Sequence, residues 1–139
     1  MHIKKLHTLV HRFNNPDFGI LLIRIALGVV FIDAGWAKIG AMEEVIKGFA
    51  TLGFAPFLAY FVAWAEFIGG IFFVVGIFSR YAGIVLTVIM AVAVKVLFAK
   101  GFSLAGGGYE FALVLMLGSM AMVAFGSGAY SLARKLKNR

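Results

Sequence analysis

Residues 56–78 read PFLAYFVAWAEFIGGIFFVVGIF, an apolar run with a single charge, Glu66, near its middle. At 1.5 Å per residue such a helix rises about 34 Å, enough to cross a hydrocarbon core of about 30 Å. The run therefore predicts a membrane-spanning helix. A carboxylate at its centre costs about 3 kcal/mol or more unless it is paired or reaches water. That makes Glu66 the first candidate for a functional group. At helical spacing Ala59, Ala63, Glu66, Gly70, Phe73, Ile77 and Arg80 share one face. Small residues on that face allow close packing, which turns Glu66 toward protein and away from lipid.

Working outward, three more apolar runs extend over about 18–39, 81–99 and 109–125. Four such runs predict an all-α membrane protein, a single integral membrane domain over 1–139 built as an antiparallel bundle of four transmembrane helices. Ser79-Arg80 joins the second and third runs, so those two must form a hairpin. The 40–55 loop carries Met42, Val45, Ile46 and Phe49 at amphipathic spacing, and Ile3, Leu6, Val10 and Phe13 repeat that pattern at the N-terminus. Both predict short interfacial helices. The first run is broken by Arg24 and lacks a small-residue cleavage site, unlike a cleavable signal.

Composition agrees. The 139 residues are 63% hydrophobic and 14% charged, against about 25% charged in soluble domains, and the mean hydropathy is +1.00. The net charge of +7 gathers at Lys4, Lys5 and Arg12, at Arg80, and at Arg134, Lys135, Lys137 and Arg139. This is the pattern of loops and tails held on one side of a membrane and not a stripe for nucleic acid. With only Lys38, Lys47 and Lys100 on the opposite side, the positive-inside rule places both termini in the cytoplasm and the chain, multi-pass, in a cell membrane. There is no cysteine, and His2, His7 and His11 all precede the first run. Thiol chemistry, iron–sulfur ligation and buried bis-histidine haem ligation by this chain alone are excluded, and no metal site is expected. Any redox centre must be diffusible or belong to a partner.

Five ionisable residues fall at membrane depth: Arg24, Asp33, Glu66, Lys95 and Glu110. Arg24 lies about 9 Å inside the cytoplasmic boundary by helical rise, and Glu66 near mid-membrane. Asp33, Lys95 and Glu110 fall in the outer third, with Lys38 near the outer boundary. The expectation is a deep Arg24–Glu66 pair and an outer polar group of Asp33, Lys95 and Glu110. Arg24 snorkelling to the interface is the alternative for the first, and plain register-setting is the alternative for both. Arg24, Gly28, Phe31, Gly35 and Lys38 share a face of the first helix, while Asp33 sits half a turn away. A helix with polar groups on two faces is central or touches a second subunit, which makes a homodimer an expectation. Trp36, Tyr60 and Tyr109 suit an aromatic belt, but Trp64 is too deep for one and lies two residues from Glu66.

Several segments taken in order resemble the DoxX family of small four-helix bacterial membrane proteins. They are Leu22-Ile-Arg24-Ile-Ala-Leu-Gly28, Gly35-Trp-Ala-Lys38, Glu66-Phe-Ile-Gly-Gly70, Gly76-Ile-Phe-Ser-Arg80, Gly106-Gly-Gly-Tyr-Glu110 and Tyr130-Ser-Leu132. The resemblance runs from about Phe18 to Leu132. Many members have a histidine just before the glycine corresponding to Gly35, where this chain has Asp33-Ala34. The resemblance implies a small inner-membrane subunit or anchor of a quinone-linked redox complex, with no covalently bound cofactor, a quinone-like ligand and a redox-protein partner. It marks Arg24, Lys38, Glu66, Arg80, Tyr109 and Glu110 as candidate site residues. With the residues read from depth and spacing, the candidates for a ligand or proton site are Arg24, Asp33, Lys38, Trp64, Glu66, Lys95, Tyr109 and Glu110. Two other classes remain open: a proton-coupled exporter of small cations working through Glu66, and a structural assembly factor that needs no polar cavity.

Overall fold

The computed structural model describes residues 2–139. They form seven α-helices: α1 (His2–Arg12), α2 (Pro16–Gly40), α3 (Met42–Thr51), α4 (Pro56–Val75), α5 (Ser79–Leu97), α6 (Glu110–Phe125) and α7 (Leu132–Lys137). Two 3-10 turns, Phe98–Lys100 and Leu104–Gly106, fill the stretch between α5 and α6. α2, α4, and α5 with its trailing turn are long and apolar enough to cross a membrane, whereas α6 is a shorter apolar helix. Its 16 residues rise about 24 Å, less than the fourth full span expected.

Local chemistry sets the boundaries. α2 begins two residues before the apolar run because Asn15 caps it, its Oδ1 accepting the Phe18 N–H at 3.2 Å, with Pro16 opening the first turn. α4 ends three residues earlier than the hydropathy implies. Gly76 takes a left-handed φ of 78°, donating its N–H to the Phe72 carbonyl, a conformation glycine adopts without a Cβ penalty. Ile77 and Phe78 then complete the turn, and α5 starts at Ser79 instead of Tyr81. α1 and α3 form where amphipathic spacing predicts them, and none of the residues of α1 is buried.

Two hairpins make the bundle. α2 packs most extensively on α4 and α5 on α6; α4–α5 contacts join the pairs and α2–α6 contacts close the ring, leaving α2 and α5 at opposite corners. Glycines set the α2–α4 register. A Cβ on Gly28 would sit 2.7 Å from the Gly70 carbonyl oxygen, and one on Gly35 would strike the Phe67 amide nitrogen. Each backbone therefore lies directly against the other. The core between the hairpins holds Phe31, Phe73, Leu86 and Met122, all fully buried.

Candidate functional site

The α2–α4 register brings Lys38, on the last turn of α2, opposite Glu66 on α4. Lys38 Nζ donates to Glu66 Oε2 at 2.7 Å, the only ion pair among the described residues. The carboxylate is 2% exposed and the lysine side chain 30% exposed. Lys38 thus reaches Glu66 from a side chain that stays partly exposed. The contact has the short length of a charge-assisted hydrogen bond. It satisfies one acceptor site of the carboxylate and one of the three ammonium hydrogens, leaving further capacity on both.

Both residues line a cavity of about 420 Å³ between α4, α5 and the α3 segment. Its other walls are apolar: Phe49, Leu52 and Phe54 from α3 and the loop after it, Leu58 and Val62 from α4, and Met90, Ala93 and Leu97 from α5. A cavity of this size, apolar throughout except for one convergent charged pair, is the form of a small-molecule site. It suits a lipophilic body with a carbonyl or hydroxyl head, which the ammonium can donate to and the carboxylate can accept from.

Arg24 does not join this site. Gly28 lies against Gly70 and Gly35 against Phe67, so Glu66 sits roughly two to three helical turns, about 12–16 Å, from the level of Arg24. The guanidinium, 1% exposed, instead binds the chain's C-terminal segment. Nη1 donates to the Ser127 carbonyl at 2.5 Å and Nη2 to the Tyr130 carbonyl at 3.0 Å, while Nε has no partner. The expected Arg24–Glu66 pair is replaced by Lys38–Glu66, and Arg24 is held by backbone carbonyls of the C-terminal segment and not by a carboxylate. Around it, Ser127 Oγ bonds Ser79 Oγ at 2.7 Å and the Ala133 N–H bonds the Gly76 carbonyl at 3.0 Å.

The outer polar group does not assemble either. Asp33 and Lys95 are exposed on α2 and α5, the helices at opposite corners of the bundle, and among the described residues neither has an ion-pair partner. Glu110 turns back on its own loop, accepting the Leu104 N–H at 3.1 Å. Tyr109 belongs to the same cap, stacked on Phe98 with ring centroids 5.4 Å apart. Trp64, half-exposed, lies outside the Glu66 cavity in a separate shallow groove with Tyr60 and Tyr81. Of the eight candidates the structure brings together two, Lys38 and Glu66. The cavity walls Phe54, Leu58 and Met90 escaped the sequence reading. Phe49 carried a signal, its place in the amphipathic stripe of α3, but it faces the cavity.

The sequence profile described as DoxX matches residues 19–101. The chain is similar to the Bacillus subtilis (strain 168) protein named "Putative oxidoreductase CatD", with 31% identity over 111 residues covering 80% of this chain and 81% of the relative. It is also similar to "Inner membrane protein YqjF" of Escherichia coli (strain K12), with 28% identity over 125 residues, 88% of this chain and 95% of the relative. No solved structure matches significantly.

Proposed function

Since this chain belongs to the DoxX family of membrane proteins, we propose that it is a small inner-membrane subunit of a redox complex, holding a quinone-like molecule in the cavity beside Lys38 and Glu66. The observation that carries this reading is a buried ion pair set in the wall of an apolar cavity of about 420 Å³. A quinone needs this combination, an apolar berth for ring and tail and a donor for its carbonyl. The reduced form carries a hydroxyl there, and a carboxylate at hydrogen-bond distance can accept its proton. Electrons come from a partner, because the chain has no cysteine and no histidine beyond His11. The word oxidoreductase in the name of the Bacillus subtilis relative supports the same direction.

In this reading the chain is one membrane domain. α6 is its fourth span, short enough that the bilayer thins beside it, while α1 and α3 lie in the interface and both termini face the cytoplasm. The charges on Asp33 and Lys95, outward on opposite corners, meet a second copy or the redox partner. A cation exporter fits less well, since Lys38 already occupies the carboxylate that would take the cargo.

The test is chemical. Protein purified in mild detergent from its native membrane should carry a quinone, identified by mass spectrometry of the organic extract. Lys38→Met and Glu66→Gln should each lose it while the bundle stays folded. Lipid alone in the wild-type extract, or full retention in both variants, would overturn the assignment.

A further inference from the structure

The two ends of the chain meet at one end of the bundle. The Asn15 side-chain amide donates to the Tyr130 hydroxyl at 3.2 Å, and Asp17 Oδ1 accepts the Ala129 N–H at 3.3 Å. These bonds hold the α1–α2 junction beside the start of α7. Ser131 caps α7 through the Arg134 N–H, and the Ala133 N–H is fixed to the Gly76 carbonyl, so α7 has a set position.

Each of these terminal helices is basic and has an uncovered apolar side. Ile3, Leu6 and Val10 of α1, with Phe13 just after it, are 61–83% exposed along one side, while Lys4, His11 and Thr8 fall on the other. On α7, Leu132 and Leu136 are exposed between Arg134, Lys135 and Lys137. Arg80 reaches Gly126 at the same end. Asp17 is the single acidic residue of the termini, and it is engaged by a backbone N–H.

We infer that α1 and α7 together form a binding surface for anionic phospholipid headgroups. The apolar stripes enter the acyl boundary beside the bundle while Lys4, Lys5, Arg12, Arg134, Lys135 and Lys137 meet phosphates. Charge complementarity selects this occupant over a neutral bilayer surface. Three residues, Phe13, Asn14 and Asn15, separate α1 from α2, so α1 cannot reach far from the level at which the bundle enters the membrane. This surface is independent of the Lys38–Glu66 cavity, at the other end of α2.

The full chain in nanodiscs of equal phosphatidylglycerol and phosphatidylcholine tests it, with native mass spectrometry reading the lipids retained and hydrogen exchange reading residues 2–12. The wild type should keep phosphatidylglycerol preferentially and protect α1. The triple variants Lys4→Gln/Lys5→Gln/Arg12→Gln and Arg134→Gln/Lys135→Gln/Lys137→Gln should each lower the preference about tenfold. Lys47→Gln/Lys100→Gln, at the opposite end, should leave it unchanged. Equal lipid ratios in wild type and both triple variants would overturn the proposal and reduce these charges to determinants of insertion orientation. Protection of α1 that rises with protein density, or only on adding an acidic soluble protein, would overturn it in favour of a second copy or such a partner.

Discussion

Lys38 makes Glu66 tolerable inside an apolar bundle, and the energetics of that pair can be isolated. Glu66→Gln keeps the volume of the side chain but leaves an ammonium without its counter-ion. Removing one member of a fully buried pair costs about 3–5 kcal/mol. Because Lys38 retains 30% exposure and can turn toward water, the expected loss is smaller, about 1–3 kcal/mol. Lys38→Met should cost more, since it strands the carboxylate, which is 2% exposed. The double variant Lys38→Met/Glu66→Gln should recover most of the loss, a coupling measurable by a double-mutant cycle of unfolding in detergent. Single-variant losses that simply add in the double variant would show that the pair contributes nothing. The sequence made Glu66 legible as a buried charge but not its partner. Arg24 and Lys38 lie on the same face of α2, fourteen positions apart, and helical spacing ranks them equally. The choice rests on inter-helix register, which depends on where the Gly28 and Gly35 backbones meet α4.

The turn between α4 and α5 shows how one residue governs two helices. Gly76 holds φ at 78°, and a Cβ there would press on the Arg24 guanidinium and lie 2.6 Å from Ser131 Cβ. Gly76→Ala should therefore cost about 1–3 kcal/mol from backbone strain alone, and more once Arg24 is displaced. Thermal unfolding should show a lower midpoint together with faster proteolysis after Phe125. The α3 segment governs the cavity in a different way. Phe49→Ala and Phe54→Ala remove walls that come from outside the bundle, so they should weaken ligand retention while leaving the unfolding midpoint of the helices nearly unchanged. Equal retention would place the ligand elsewhere. Hydropathy located α2, α4 and α5 well, because length and apolarity suffice for that. It misplaced their ends by two or three residues, because the Asn15 cap and the left-handed Gly76 act through local bonds that hydropathy does not contain. The amphipathic stripe of α3 did not reveal that Phe49 lines the cavity, since such a stripe looks the same against lipid as against a cavity wall.

At the scale of the whole molecule, the two hairpins carry most of the packing, and the C-terminal segment ties them together at one end. Arg24 is central to that tie. Arg24→Met should free the Ser127 and Tyr130 carbonyls and cost about 1.5–3 kcal/mol for each lost charge-assisted bond, seen as hydrogen exchange in residues 126–133. Ending the chain at Phe125 should be worse, because it strands the guanidinium at membrane depth, and adding Arg24→Met to the shortened chain should partly restore its level in the membrane. The family and the helical class were readable from ordered segments of sequence. The division of the five charges within the apolar runs into one site, one clamp, one loop cap and two outward residues was not, because it depends on long-range contacts, such as that of Arg24 with Ser127, 103 positions along the chain.

That separation has a consequence in time. Arg24 lies on α2, whereas its acceptors Ser127 and Tyr130 follow it by 103 and 106 positions and are made well after it. Until residues 127–130 are made the guanidinium has neither acceptor, and α2 is best held near the interface or by the insertion machinery. The clamp closes only once residues 127–130 have been made. A product that stops before Ser127 leaves the Arg24 guanidinium without either carbonyl acceptor.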